Sequence, residues 1–464
     1  MNKFAHYMRD DAKSDVAEQT DALQLTRRGF LIGAAGAGVT LAFTHPQAAF
    51  AEANDAVADG AYEGALWFRI EQDGKIIVRI AESEMGQHVG TALARIVADE
   101  LEADWADVTV DYVDADAKWG YMVTGGSWSV HQNFTPLSQA GAAGRMVMIE
   151  EGARLLGVEP SKCKARESKV IAGRKSITYA EIVSRGNLTR EFTAEQLAEM
   201  PIKPASQRRL IGKDAPALDI PDKTRGTAVY GIDAEVDGMV FGRPLMPPTR
   251  YGAKVTKMDD TAAKRVKGYQ RTVVLEDPSG TVPGWAVVIA DSFHAANRAA
   301  SLIDIEWEAG ETASVSEEDI LAEGRKVIGD ASKGALVWND EGVDEAFAGA
   351  DSTLEAEYTT HSVLHFQLEP LNALAYQRED GAWELHTGNQ WQNLILPTLA
   401  QALETEESKL NLRTYLLGGG FGRRLNGDYI VPAALASKAL GGKPVKLVFT
   451  REDDSRFDSM RSAS

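Results

Sequence analysis

The run Gly418-Gly419-Gly420-Phe421-Gly422-Arg423-Arg424 restricts this chain more than any other stretch. Glycine lacks a Cβ, so the backbone there reaches φ > 0 and turns successive N–H groups to one side. A strand-like run at 412–417 comes before it, and Asp428, a suitable N-cap, marks a helix start that tolerates Pro432 in its first turn. Amides gathered between a strand and a helix form a concavity for an anion. The spacing does not fit the dinucleotide fingerprint: counted from Gly418 the third glycine position is Arg423, and counted from Gly420 it is Leu425. The Gly-Lys-Ser/Thr ending of a P-loop is missing too. A phosphate or oxo-anion suits the loop, and a turn without a ligand is the competing reading.

Two further small-residue turns repeat the theme. Apolar alternation at 66–70 and 76–80 around Asp73-Gly74 predicts a β-hairpin, and helical spacing from Val89 to Leu101 predicts a helix. Gly86 and Gln87 fall on the turn between them. Thr124-Gly125-Gly126-Ser127 is a second tight turn, ahead of a helix predicted over 137–156, in which Gly141 and Gly144 permit close packing. Taken singly, each turn is more often only a turn. Gly125 to Ser129 approaches a nucleophile elbow but ends on Ser instead of Gly, so a hydrolase fits poorly. His361, His365 and Glu369 have the spacing of one helix face and raise a metal site. Ser362 breaks the His-Glu-x-x-His pattern, and Pro370 argues against a long helix.

At 464 residues the chain exceeds one ordinary core, and two or more domains are expected. A net charge of -19 disfavours nucleic acid and anionic membrane surfaces as partners. The single cysteine, Cys163, cannot build a disulfide, a Cys-rich zinc site or an iron–sulfur cluster within the chain. It reads as a small buried hydrophobe. Any redox electrons must therefore leave through another subunit or an organic cofactor.

The N-terminus reads as an export address. Arg27 and Arg28 precede a weakly apolar stretch at 32–43, and Ala49-Phe50-Ala51 is a small-x-small cleavage pattern. This order predicts a twin-arginine signal over 1–51 and a periplasmic protein, with no membrane span once the signal is removed. The mature chain divides into 52–200, a Pro-rich connection at 201–225, a small α+β segment at 226–310, and a last segment at 311–464. The fold class expected is multidomain α+β.

Taken together, EMGQ-x-x-x-TALA-x-x-VADEL, TGGS-x-S, LEP-x-N-A-x-A, GGGFGRR and PVKLVFTRED occur in an order that resembles the molybdenum-binding large subunits of the xanthine-oxidase-like family. The chain is similar to the isoquinoline 1-oxidoreductase beta subunit and related molybdenum-binding aldehyde dehydrogenase subunits. It spans nearly all of residues 64–464. It implies a molybdopterin cytosine dinucleotide lined by Gly86, Gln87, Gly125, Gly126, Ser127 and the loop Gly418, Gly419, Gly420, Phe421, Gly422 and Arg423. Gln390 matches the glutamine whose amide faces the oxygen of the metal centre, and Phe421 and Gly422 would sit against molybdenum. Residues 226–310 match the family's hammerhead domain, between molybdopterin-binding segments at 52–200 and 311–464. A small subunit with two two-iron two-sulfur clusters is the implied partner, with a cytochrome c as further acceptor. The implied reaction hydroxylates an aldehyde or N-heteroaromatic carbon with oxygen from water. Two departures stand out. His88 replaces the usual Gly after Gln87, which is expected to crowd the cofactor or alter access. The family's catalytic glutamate falls beyond residue 464, so a C-terminally truncated chain with little or no turnover of its own is expected. The alternatives are a non-catalytic remnant and an exported anion-binding protein.

Overall fold

The computed structural model describes residues 30–34, 39–43 and 67–464, except 189, 336, 337 and 339. Arg27, Arg28 and the Ala49-Phe50-Ala51 run lie outside the described residues. Between them, Phe30–Ala34 and Val39–Phe43 pair antiparallel.

The first core grows from the expected hairpin. Phe68–Ile70 pairs with Ile76–Ile80 around Gly74, and Val108–Tyr112 adds in parallel. Ile76, Val78 and Ile80 point inward, as period-two alternation requires. Two helices cover that face, Val89–Leu101 and the 29-residue Trp128–Leu156. The long helix starts nine residues before the predicted 137, because the turn ending at Ser127 launches it directly, and it carries Pro136 inside. The two helices pack through glycine: a Cβ on Gly141 would lie 2.7 Å from Val97 O, and one on Gly144 2.7 Å from Phe68 Cζ.

The Pro-rich connection is tied down. Buried Asp99 accepts N–H groups from Arg209, Leu210 and Ile211 at 2.9 to 3.2 Å. Lys203 bridges Asp99 and Glu102 at 2.7 and 2.8 Å.

The second core is a seven-stranded mixed sheet. Its order is Tyr269–Val274, Ala286–Ala290, Val240–Leu245, Val445–Val448, Asn372–Gln377, Trp383–Thr387, Leu410–Thr414. Strands from 226–310 and from 372–448 thus share one sheet, joined where Val240–Leu245 runs parallel to Val445–Val448. Helix Val431–Ala439 packs on it, with Tyr429, Phe449 and Trp285 buried beneath. The strand predicted at 412–417 spans Leu410–Thr414, because the chain beyond it leaves the sheet for the first core. Asp428 is not an N-cap. Gly427 stands at that position with φ 65, and the Asp428 carboxylate binds Arg423 and Arg250. Residues 361–369 form no helix. No described helix is long and apolar enough to cross a membrane.

The glycine contact between the helices sets a sharp steric test. Gly141→Val places methyl groups against the Val97 carbonyl, and overpacking of this kind costs about 1–3 kcal/mol. Urea unfolding should show that loss, while Gly324→Ala, on an open helix surface, should not destabilise.

Candidate functional site

The small-residue segments meet at the seam between the two cores. Leu417 donates its N–H to Glu84 O at 2.9 Å, which stitches the Gln87 turn to the entry of the glycine loop. A Cβ on Gly420 would lie 2.9 Å from Met85 Sδ and 2.4 Å from Gln390 Oε1, so only glycine lets the loop approach this closely. Gly125 faces the same place, its Cβ position 3.7 Å from Leu425 Cδ2.

Gln390 is the node. It is 3% exposed, and its peptide bonds Arg424 O at 3.0 Å and Thr124 N at 2.7 Å. Its carboxamide spans the seam: Nε2 donates to Thr124 O at 2.9 Å, and Oε1 accepts from Gly422 N at 3.1 Å. Beside it, Ser83 donates its N–H to Thr124 Oγ1 at 2.7 Å and its hydroxyl to Asn389 O at 2.5 Å. Asn389 Nδ2 and Gln392 Oε1 are buried here without a hydrogen-bond partner among the described residues.

The loop keeps its amides unspent. Gly419, Phe421 and Gly422 have φ of 98, 54 and 101. Gly418 N donates to Glu369 Oε2 at 2.7 Å, and Gly422 N is taken by Gln390. Among the described residues, the N–H groups of Gly419, Gly420 and Phe421 have no acceptor. Phe421 holds a left-handed conformation that non-glycine residues rarely adopt, with its ring 71% exposed. Across the seam, Ser127 also has a left-handed backbone and leaves the N-terminus of the 29-residue helix without a side-chain cap. The loop thus carries three free amides, and the uncapped helix start follows the Thr124 turn that Gln390 ties to it.

The arginines are not part of that surface. Arg423 and Arg424 are fully buried. Arg423 binds Asp428 at 2.8 Å and Phe457 O at 2.9 Å, and Arg424 binds Glu369 at 3.1 Å. Burial pushes the Asp428 carboxyl up, but Arg423 and Arg250 outweigh it and hold the group below its ordinary value. The expectation that Arg423 faces the cofactor is corrected: its guanidinium braces the loop from behind.

The Gln87 side chain closes its own turn, accepting from Met85 N at 2.7 Å and donating to Ser83 O at 2.9 Å. His88 does not crowd the cleft. Its left-handed backbone turns the ring to Asp219, with Nδ1 2.8 Å from the carboxylate. Glu84, unremarked in the sequence, accepts from Gly86, His88 and Val89 N–H groups at 2.8 to 3.2 Å and from Lys223 at 2.9 Å. Glu84, His88 and Asp219 form a tight acidic group, but the Lys223 ammonium already bonds both carboxylates. The suggested His361, His365 and Glu369 metal site is absent because the three side chains take separate partners. His361 binds Glu317 at 2.6 Å, His365 binds Asp458 at 2.7 Å, and Glu369 binds Gly418. Ser127 Oγ has no hydrogen bond among the described residues, which leaves no nucleophile–base pair.

Sequence reasoning missed Ser83 and Asp458, and it named Glu369 and Thr124 without the bonds they make here. Glu369 stood in the LEP motif and Thr124 at the head of its turn, but nothing local marked Asp458. Glu82 was also missed. It is 7% exposed, and its carboxylate accepts from Asn133 Nδ2 at 2.5 Å.

The sequence matches two family models, each described as a molybdopterin cofactor-binding domain, over residues 326–464 and 9–209. It is 57% identical over 444 residues to the membrane-bound aldehyde dehydrogenase (pyrroloquinoline-quinone) of Gluconacetobacter polyoxogenes, covering 95% of this chain and 57% of that protein. It is 31% identical over 492 residues to the isoquinoline 1-oxidoreductase subunit beta of Brevundimonas diminuta, covering 96% of this chain and 61% of that one. The chain thus spans about three-fifths of these curated relatives. Among solved structures, the aldehyde oxidoreductase from Desulfovibrio gigas aligns with a TM-score of 0.43 and 17% identity, over 97% of this chain and 48% of that one.

Burial raises the Glu82 carboxyl to about 7, and the Asn133 bond offsets this only in part. A raised carboxyl leaves the fold at full stability below the unfolded value of 4.5, and stability falls as pH rises through 7. Glu82→Gln should therefore remove a penalty on the order of 3 kcal/mol at pH 8 and little at pH 4. Thermal melts at the two pH values measure the difference, and equal shifts at both would refute it.

Proposed function

Because the chain belongs to the xanthine-oxidase-like family of molybdopterin-binding large subunits, we propose that its seam cleft holds a molybdopterin cofactor and serves an oxidoreductase. One observation carries this: Gln390 and the Leu417–Glu84 bond bring the turns at Gln87, Thr124 and Gly418 together at one seam. The residues fit such a group. Three free loop amides and an uncapped helix start suit a pyrophosphate or oxo-anion, and Asn389 Nδ2 and Gln392 Oε1 are buried, unpartnered polar atoms near the seam. We take the cofactor to be the cytosine dinucleotide form. Gly86, Gly125, Gly126, Ser127 and Gly418 to Gly422 would line it mainly through main chain.

When bound, molybdenum supplies two-electron oxidation of a carbon with oxygen taken from water. The chain contributes shape and fixed dipoles. The Gly419, Gly420 and Phe421 amides bind negative charge, Gln390 keeps the two walls at one separation, and the exposed Phe421 ring offers an apolar face to substrate. The substrate class is an aldehyde or an N-heteroaromatic. Cys163 is buried, and burial raises its thiol, so cluster ligation falls to a small iron–sulfur subunit with two two-iron clusters. A cytochrome c is the onward acceptor. Residues 226–310 act as the hammerhead element, and export by the twin-arginine route places the protein in the periplasm.

Metal analysis of the protein purified with its partner, together with mass spectrometry of released cofactor, is the test. The expected result is molybdenum with a cytosine nucleotide. The name of the 57% identical relative favours a second reading, pyrroloquinoline quinone. Recovery of that quinone without molybdenum would overturn the proposal. An empty protein that still pairs with the iron–sulfur subunit would point to a non-catalytic remnant, and tight phosphate binding without molybdenum to an anion-binding protein. A methyl at Gly420 displaces Gln390 Oε1, so Gly420→Ala should lower molybdenum content roughly ten-fold with the circular dichroism spectrum unchanged.

A further inference from the structure

We propose that His365 and Asp458 form a proton-accepting dyad on the cleft wall, with His365 Nε2 taking a proton from a hydroxyl of the bound molecule. The inference rests on the reading that the Gly418–Gly422 loop faces that molecule. Residues 365–369 run alongside the loop: Glu369 N–H donates to Gly418 O at 3.0 Å, and Gly418 N–H returns to the Glu369 carboxylate at 2.7 Å. At the other end of this segment, Asp458 grips His365 twice. Oδ2 accepts the His365 backbone N–H at 2.7 Å, and Oδ1 bonds ring Nδ1 at 2.7 Å.

The double contact fixes the ring plane and its tautomer. A carboxylate only accepts, so Nδ1 carries a hydrogen, and it is in the neutral form of the ring that Nε2 offers its lone pair. Nε2 lies 3.4 Å from where a Cβ on Gly422 would stand, and among the described residues nothing bonds it. Asp458 is 4% exposed, and Arg423 Nε stands 3.6 Å from its Oδ1. The His365 side chain is 20% exposed. The surface pair His361–Glu317 gives the contrast: its imidazole is 86% exposed and belongs to no cleft.

The step is a plain proton transfer. The O–H bond of an aldehyde hydrate or a water breaks, its electron pair stays on oxygen, and an Nε2–H bond forms. Asp458 balances the imidazolium, and the proton leaves to solvent through the exposed ring edge. No electron moves in this step.

The test uses the full enzyme with its partner and follows molybdenum content in every sample. His365→Ala should slow acetaldehyde-dependent dye reduction about 100-fold at unchanged molybdenum content, and added imidazole should restore part of the rate. Asp458→Asn should slow it as well, again with the metal retained. Diethyl pyrocarbonate should label His365 in the wild-type enzyme, read by peptide mass spectrometry, and acetaldehyde should slow that labelling. A His365→Ala rate close to wild type, a loss that imidazole does not rescue, or His365 labelling indifferent to acetaldehyde would each overturn the dyad. Should His365→Ala lose its metal or fold, the wild-type labelling still decides. Absence of molybdenum from the wild type would instead defeat the function proposed above.

Discussion

The Gln390 carboxamide is the interaction on which the rest of the structure depends. One end holds Thr124 in the first core, and the other holds Gly422 in the second. The residues it joins are 266 positions apart in the chain on one side and 32 on the other. A buried amide satisfied at both ends fixes a distance as well as adding stability, because leaving either end unpaired costs about 1–3 kcal/mol. The separation of the two walls is therefore held by this side chain together with the Leu417–Glu84 and Ser83–Asn389 bonds.

Behind the walls, charge is arranged so that the loop itself stays unspent. The terminal guanidinium nitrogens of Arg423 and Arg424 bond Asp428, Glu369 and backbone carbonyls. Had these guanidiniums pointed forward, they would have offered mobile positive charge. Placed behind, they stiffen the turn and leave fixed amide dipoles as the attractive surface. Such dipoles need no reorganisation when a ligand arrives.

Much of this was legible in the sequence because local chemistry carried it. The hairpin at 68–80, the helix at 89–101 and the glycine packing at 141 and 144 follow from alternation, helical period and residue size. So does the location of the three turns, since glycine and small residues mark where the backbone must bend. What was not legible depended on distant partners. His88 looked like an obstruction until Asp219 turned its ring away. Arg423 looked like an anion contact until Asp428 and Phe457 claimed it. The spacing of His361, His365 and Glu369 suggested a shared helix face, yet tertiary pairing drew each to a different carboxylate or amide. The start of the long helix at Trp128 was hidden because neither Ser127 nor the aromatic that follows is a strong helix signal.

The seam also orders the history of the molecule. The first core is built from strands close in sequence, whereas the second already needs Val240–Leu245 to find Val445–Val448, and the seam needs both cores docked. Contacts this remote in the chain form late, after the loop-closure entropy has been met by everything local. Under the function proposed above, a cofactor would therefore meet two halves that are already largely folded. Heat or denaturant that loosens either half would release the cargo before the other half unfolds.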